Sequence, residues 1–197
     1  MIDKIEDFDK DLISIDLVKA NIVALLMLIP TLLVFGLTYY LIWGLNFNYS
    51  DIQNLSLILP PIWVGIIIFL VLPIGTVFHE LIHGIVWSLY TRNGFKSIRF
   101  GVLWKMLTPY CHCKEPLKVK EYIFGALMPG IVLGLIPLVI AIAMGNLLLL
   151  ILGIIFTIVA SGDFMIVNLL KRENMDDYVQ DHPTEAGCFI YRRRLEE

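Results

Sequence analysis

The chain is short of charge and of cysteine. Only 17% of its 197 residues are charged and 58% are hydrophobic, which is far from the balance of a water-soluble domain of this size. Lys and Arg number 15 against 18 Asp and Glu, so no basic excess points to a nucleic acid partner. The cysteines number 3, too few for a disulfide framework. The lipid bilayer is therefore the expected solvent of this chain.

The beginning of the chain lacks the basic segment of a cleaved signal peptide, because it carries more acidic residues than lysines. The first apolar run is therefore expected to stay in the protein as a membrane span. Before that run, Ile5, Phe8, Leu12 and Ile15 recur at helical spacing. This spacing predicts a short amphipathic helix near the membrane surface.

Four apolar runs are long enough to cross about 30 Å of hydrocarbon at about 1.5 Å per residue. They cover residues 21–45, 61–90, 122–144 and 147–170. All 15 Lys and Arg lie outside these runs, and none lies between the first and second or between the third and fourth. The positive-inside rule then predicts a multi-pass protein of the cell membrane with both termini, the loop 91–121 and the tail 171–197 in the cytoplasm. The whole chain, residues 1–197, is predicted to be one integral membrane domain.

The loop between the second and third spans shows a period of two. After an Asn93-Gly94 turn signal, apolar residues alternate with other residues between Ser97 and Thr108. This pattern predicts a short β-hairpin or re-entrant loop whose apolar face dips into the membrane interface and whose open edge accepts an extended peptide. A hairpin that only lies on the membrane surface is the alternative. The predicted fold is thus an all-α membrane protein of four helices with this hairpin.

Few ionisable side chains fall inside the predicted spans. A charged group near the middle of the bilayer costs about 2.5 to 3.5 kcal/mol, so such residues usually pair, bind an ion or line a polar path. His79, Glu80 and His83 form an H-E-x-x-H pattern, which places the two imidazoles one turn apart on one helix face. This spacing suits zinc. Glu80, rotated by about 100° from His79, is placed to take a proton from the attacking water rather than to bind the metal.

A catalytic zinc site has three protein ligands, so the third must come from another segment. His83 precedes Arg92 by the same number of residues as Asp163 precedes Arg172, and both therefore lie about 14 Å from the cytoplasmic boundary. Depth thus favours Asp163 as the third ligand, a hydrogen-bonded intramembrane carboxylate being the alternative. Other candidate ligands lie in the loop: Glu115, Glu121 and His112, the last of which is also able to form a second, structural site with Cys111 and Cys113.

These residues resemble those of the site-2 protease class of intramembrane zinc metalloproteases, and most closely a small bacterial family of putative zincin peptidases. The resemblance is carried by the segment His79–Gly84, the loop segment Pro109–Leu117, the pair Pro129-Gly130 and Asp163. It implies one Zn²⁺ per chain, held by His79, His83 and Asp163. It also implies that Glu80 activates water and that the substrate is a membrane-spanning segment of another protein.

The sequence therefore predicts a bacterial zinc-dependent intramembrane endopeptidase that hydrolyses a peptide bond in or next to a transmembrane segment of a membrane protein or peptide substrate. The alternative is a non-hydrolytic membrane scaffold or ion carrier that uses the same ligands. A pseudoenzyme that grips transmembrane helices is a third hypothesis. The expected partners are the substrate and the lipid bilayer, with no nucleic acid, and self-association is left open.

Overall fold

A computed structural model describes residues 8–14, 16–44, 60–103, 108–182 and 187–193. Within these ranges, three helical stretches are long and apolar enough to cross a membrane: Asn21–Trp43, Phe69–Ser88 and Val119–Met144. A fourth stretch is added if Leu147–Val159 and Ser161–Leu170, which are bent by 45° at their junction, form one span. The protein is thus mostly helical, and its apolar helices are compatible with a membrane protein.

The helices follow the predicted runs closely. In chain order they are α1 (Leu17–Thr31), α2 (Leu37–Trp43), α3 (Pro61–Ser88), α4 (Val119–Pro129), α5 (Ile136–Met144), α6 (Leu147–Val159) and α7 (Ser161–Leu170). Short π-helical segments, Leu32–Gly36 and Gly130–Leu135, join α1 to α2 and α4 to α5. The third span starts earlier than predicted, at Val119, because the Glu121 carboxylate accepts a hydrogen bond from the backbone N–H of Lys118 and caps the helix.

The structure departs from the predicted all-α fold with one hairpin, since a four-stranded antiparallel sheet accompanies the helices as well. The strands are β1 (Phe8–Ser14), β2 (Ile98–Leu103), β3 (Thr108–Cys113), β4 (Leu117–Lys118), β5 (Tyr178–Asp181) and β6 (Gly187–Arg193). β2 and β3 form a two-stranded sheet at the place of the predicted hairpin. Residues 104–107, which the prediction included in that hairpin, lie outside the described residues. The other four strands form one sheet in the order β1-β6-β5-β4.

The amphipathic helix predicted before the first span is wrong where the structure describes it, because residues 8–14 form β1. This strand pairs with β6 along its whole length, from Phe8↔Arg193 to Ser14↔Gly187. Arg192 of β6 forms ion pairs with Asp11 of β1 and with Glu173. These contacts come from the opposite end of the chain, and such tertiary pairing overrides a local helical pattern.

The main core lies where the four-stranded sheet meets the ends of α3, α4 and α7. Its fully buried members come from both the sheet and the helices: Leu117, Val119, Leu170, Val179, Cys188 and Ile190. Many apolar side chains of the long helices are instead exposed. That exposure is expected of helices whose surroundings are lipid.

Candidate metal centre

Helix α3 carries the two histidines on one buried face. His79 and His83 lie one helical turn apart, and each is only 4% exposed. Their Nε2 atoms are 3.2 Å apart. The helix therefore points two imidazole nitrogens at the same small volume.

Asp163 enters that volume from the first turn of α7. Its Oδ2 atom lies 3.0 Å from His79 Nε2, and its Oδ1 atom lies 3.2 Å from His83 Nε2. One ligand atom from each of the three residues falls within 4.8 Å of the others. Across the described ranges, no other three His, Cys, Asp or Glu side chains converge in this way. The bend between α6 and α7 thus brings together the three residues that spacing and depth had selected.

The protonation pattern around these atoms fits a bound cation. His83 Nδ1 lies 3.0 Å from the carbonyl oxygen of Gly125, and a carbonyl only accepts, so Nδ1 carries a proton and Nε2 is the ring nitrogen that is able to bind a cation. Asp163 Oδ2 is buried and has no hydrogen-bond partner, although it approaches His79 Nε2. Such an orphaned oxygen is costly. A tetrahedral zinc with ligand bonds of about 2.0 to 2.1 Å has ligand atoms about 3.3 Å apart, close to the separations found here.

Glu80 lies close to His79, His83 and Asp163 but does not belong to the convergent group. Its carboxylate lies near the backbone N–H of Cys111 in β3. The hairpin packs against α3 near Gly84, where an added Cβ would lie 2.5 Å from the Phe100 ring. Glu80 therefore stands between the metal centre and the edge of a β-strand.

The pairing of the hairpin determines which backbone groups face outward. Lys114 N–H donates to Ser97 O at 2.9 Å, so the two form a hydrogen-bonded pair. Since such pairs alternate along an antiparallel ladder, the N–H and C=O groups of Ile98, Phe100 and Val102 point away from β3. In the described part of the chain, no strand pairs with this outer edge of β2.

Aromatic rings stack behind His83. The His83 and Trp87 rings have centroids 4.9 Å apart and an interplanar angle of 16°, and Trp87 and Tyr122 repeat this at 4.9 Å and 20°. Trp87 Nε1 also donates to the carbonyl oxygen of Tyr122 at 3.1 Å. The i, i+4 spacing of His83 and Trp87 was available in the sequence, but no sequence signal pointed to Tyr122 on another helix.

Asp181 is the other site neighbour that sequence reasoning missed. It is the last residue of β5. One carboxylate oxygen accepts from the Tyr122 hydroxyl, and the other accepts from the backbone N–H of Cys113 at 2.7 Å. A contact across such a long stretch of chain leaves no local signal.

The alternative ligands have other roles. Glu115 accepts from the Ser97 hydroxyl and from the N–H of Arg92 at 2.9 Å, and these bonds hold the pKa of Glu115 below its usual value. Glu121 caps α4. His112 does not belong to the convergent group. The Cys113 thiol donates to the carbonyl oxygen of Glu115 at 3.3 Å, and burial raises the pKa of this thiol to about 12.

Residues 69–178, more than half of the chain, match a family described as "Putative zincin peptidase". The matched segment runs from α3 to the first residue of β5, so it contains the H-E-x-x-H pattern and Asp163. Neither the curated proteins nor the solved structures contain a match to this chain.

Proposed function

This chain belongs to the family of putative zincin peptidases, and from that premise we propose that it is a membrane zinc endopeptidase that cuts a membrane protein or peptide in or next to a transmembrane segment. The observation that carries the proposal is the convergence of His79, His83 and Asp163 beside Glu80. A histidine pair and a carboxylate make a suitable set of three ligands for a catalytic zinc, which keeps one further position open.

One Zn²⁺ per chain would be held by His79, His83 and Asp163. When bound, zinc polarises the scissile carbonyl as a Lewis acid and makes water more acidic. Glu80 accepts a proton from the attacking water, whose oxygen bonds to the carbonyl carbon, and returns that proton to the leaving nitrogen as the C–N bond breaks. The Cys111 N–H orients the Glu80 carboxylate, and the Gly125 carbonyl keeps His83 in the required tautomer.

The sheet connections support four membrane crossings. β1 precedes α1, β4 immediately precedes α4, and β5 and β6 follow α7, yet all four strands belong to one sheet. An open sheet does not cross the hydrocarbon region, so these segments belong on one side of the membrane. The bent pair α6–α7 then completes a fourth crossing. Following the positive-inside rule, we assign that side to the cytoplasm. The proposed setting is a bacterial cell membrane.

The outer edge of β2 is the proposed template for the substrate. A helical substrate hides its backbone in i to i−4 hydrogen bonds, so it must unwind before water attacks its carbonyl carbon. The outward N–H and C=O groups of Phe100 and Val102 would pair with the unwound segment by strand addition. The Phe100 ring of this strand packs against α3 at Gly84, one residue after His83.

Replacing Glu80 by Gln tests the proposed function. The probe is a quenched fluorescent peptide with one Leu-rich transmembrane segment interrupted by Gly-Ser, mixed with the full chain in detergent. We expect the Glu80→Gln variant to keep about one zinc per chain by elemental mass spectrometry and to lose about 10²- to 10⁴-fold in kcat. We expect Asp163→Ala to lose zinc itself.

Two outcomes would contradict the proposal. Equal cleavage rates for the wild type and for Glu80→Gln would show that Glu80 does not act as the base. Zinc bound by the wild type without cleavage of transmembrane probes would favour a non-hydrolytic scaffold or ion carrier, which has no need of a base beside its ligands.

A further inference from the structure

A single carboxylate from the four-stranded sheet contacts two elements that flank the metal centre. Asp181 uses one oxygen to accept from the Tyr122 hydroxyl on α4 and the other to accept from Cys113 N–H on β3. These two elements lie next to different parts of the site. α4 lies behind a metal ligand, and β3 lies behind the proposed base.

The first branch leads from Asp181 to His83 through stacked rings. Tyr122 stacks on Trp87, and Trp87 stacks on His83 with nearly parallel planes. Trp87 is also held by its hydrogen bond to the Tyr122 carbonyl. All three rings are at most 5% exposed, so their close packing leaves little room for the imidazole to tilt.

The second branch leads from Asp181 to Glu80 along β3. Cys113 and Cys111 are two residues apart, so their N–H groups point to the same edge of the strand. The Cys113 N–H donates to Asp181 at 2.7 Å, and the Cys111 N–H on the same edge faces the neighbourhood of Glu80. The position of the strand edge at Asp181 therefore determines where the donor to Glu80 lies.

We propose that Asp181 is a positioning residue that fixes the position of the proposed base Glu80 relative to the proposed ligand His83. This inference rests on the proposed function. Asp181 acts through its hydrogen bonds to Tyr122 and Cys113. Because one carboxylate holds both branches, a shift of the sheet moves base and ligand together.

The test compares three variants of the full chain in detergent. Asp181→Ala removes both contacts, and Tyr122→Phe removes only one. Asp181→Asn keeps both, because its carbonyl oxygen accepts from Cys113 N–H while its amide donates to the Tyr122 oxygen, which then acts as acceptor. Each variant is measured for kcat and KM per bound zinc, for its melting temperature, and for the visible absorption spectrum of the Co²⁺-substituted protein, which reports ligand geometry.

We expect Asp181→Ala to lose about 10- to 100-fold in kcat with little change in KM, and to shift the Co²⁺ spectrum. Tyr122→Phe should fall between Asp181→Ala and wild type, and Asp181→Asn should recover most of the wild-type behaviour. The matched control is Asp176→Ala, which removes an exposed carboxylate paired with Lys118 and Lys120 and should leave kcat and spectrum unchanged.

A lower melting temperature with unchanged kcat per zinc and unchanged Co²⁺ spectrum in Asp181→Ala and Tyr122→Phe would overturn the inference, since Asp181 would then serve stability alone. Equal losses in Asp181→Asn and Asp181→Ala would also overturn it, because charge rather than position would matter. The Co²⁺ spectrum needs no turnover. A wild type that binds Co²⁺ but cleaves nothing would therefore overturn the proposed peptidase and still allow the spectra to decide the role of Asp181.

Discussion

In the proposed metal centre, His83 is positioned by contacts that do not involve the metal. One ring nitrogen donates to the Gly125 carbonyl, one ring face packs on Trp87, and the other nitrogen is left for coordination. These contacts set the tautomer and the plane of the ring before any ion arrives. The conformational entropy of the His83 side chain is therefore lost on folding rather than on metal binding.

Gly125 is expected to tolerate no side chain. An added Cβ would lie 2.1 Å from Trp87 Nε1, and the helix backbone cannot yield without moving the carbonyl that holds His83. We expect Gly125→Ala to lower the free energy of unfolding by about 1–3 kcal/mol and to weaken zinc binding. The control is Gly162→Ala, next to Asp163, where an added Cβ meets nothing within 4 Å. Equal melting temperatures and zinc affinities for the two variants would contradict this.

The buried thiols are expected to make the stability of the folded protein fall at alkaline pH. Burial raises the pKa of Cys113 and of Cys188 to about 12, against about 8.5 in an unfolded chain. The folded state binds the two thiol protons more tightly than the unfolded state does. The contribution of these thiols to the free energy of unfolding is therefore complete below pH of about 8.5 and is lost as the pH rises toward about 12. We expect the melting temperature to fall over that range and both thiols to resist iodoacetamide at pH 8 until denaturant is added. Rapid alkylation of the folded protein would contradict this.

At the scale of elements, the outward backbone N–H groups of β2 are predicted to contribute to substrate cleavage. Val102→Pro removes an outward N–H and leaves the ladder to β3 intact, as edge strands tolerate proline. We expect it to reduce kcat/KM up to about tenfold, the value of one hydrogen bond to the substrate, with little change in melting temperature. Val102→Ala controls for the lost side chain. Gly101→Pro, in a hydrogen-bonded pair, should instead disrupt the hairpin. Unchanged cleavage by Val102→Pro would argue against strand addition at this edge.

The elements differ in how far the sequence predicts them. Long apolar runs and a period of two reveal the helices and the hairpin, because those patterns depend on neighbours in the chain. The sequence did not predict β1, because its partner β6 lies at the other end of the chain. The same distinction holds at the site, where His79, Glu80 and His83 share one turn of helix and Asp163 shares their depth. The contacts of Tyr122 and Asp181 join separate segments and have no local pattern.

At the scale of the whole molecule, one sheet collects strands from before the first span and after the last. We therefore expect reporter tags placed before β1 and after β6 to lie on the same, cytoplasmic side of the membrane. A tag inserted between Gly145 and Asn146 should lie on the opposite side. Paired green fluorescent protein and alkaline phosphatase fusions measure this. Reporters at the two ends on opposite sides would contradict the four-crossing arrangement.

The position of Asp163 on α7 also has a consequence for biosynthesis. A ribosome that has just delivered α3 to the membrane has produced both histidines and the glutamate, but the third proposed ligand is still to be translated. Asp181 and the strand that pairs with β1 come later still. The proposed set of ligands is therefore incomplete in the nascent chain until α7 has been translated.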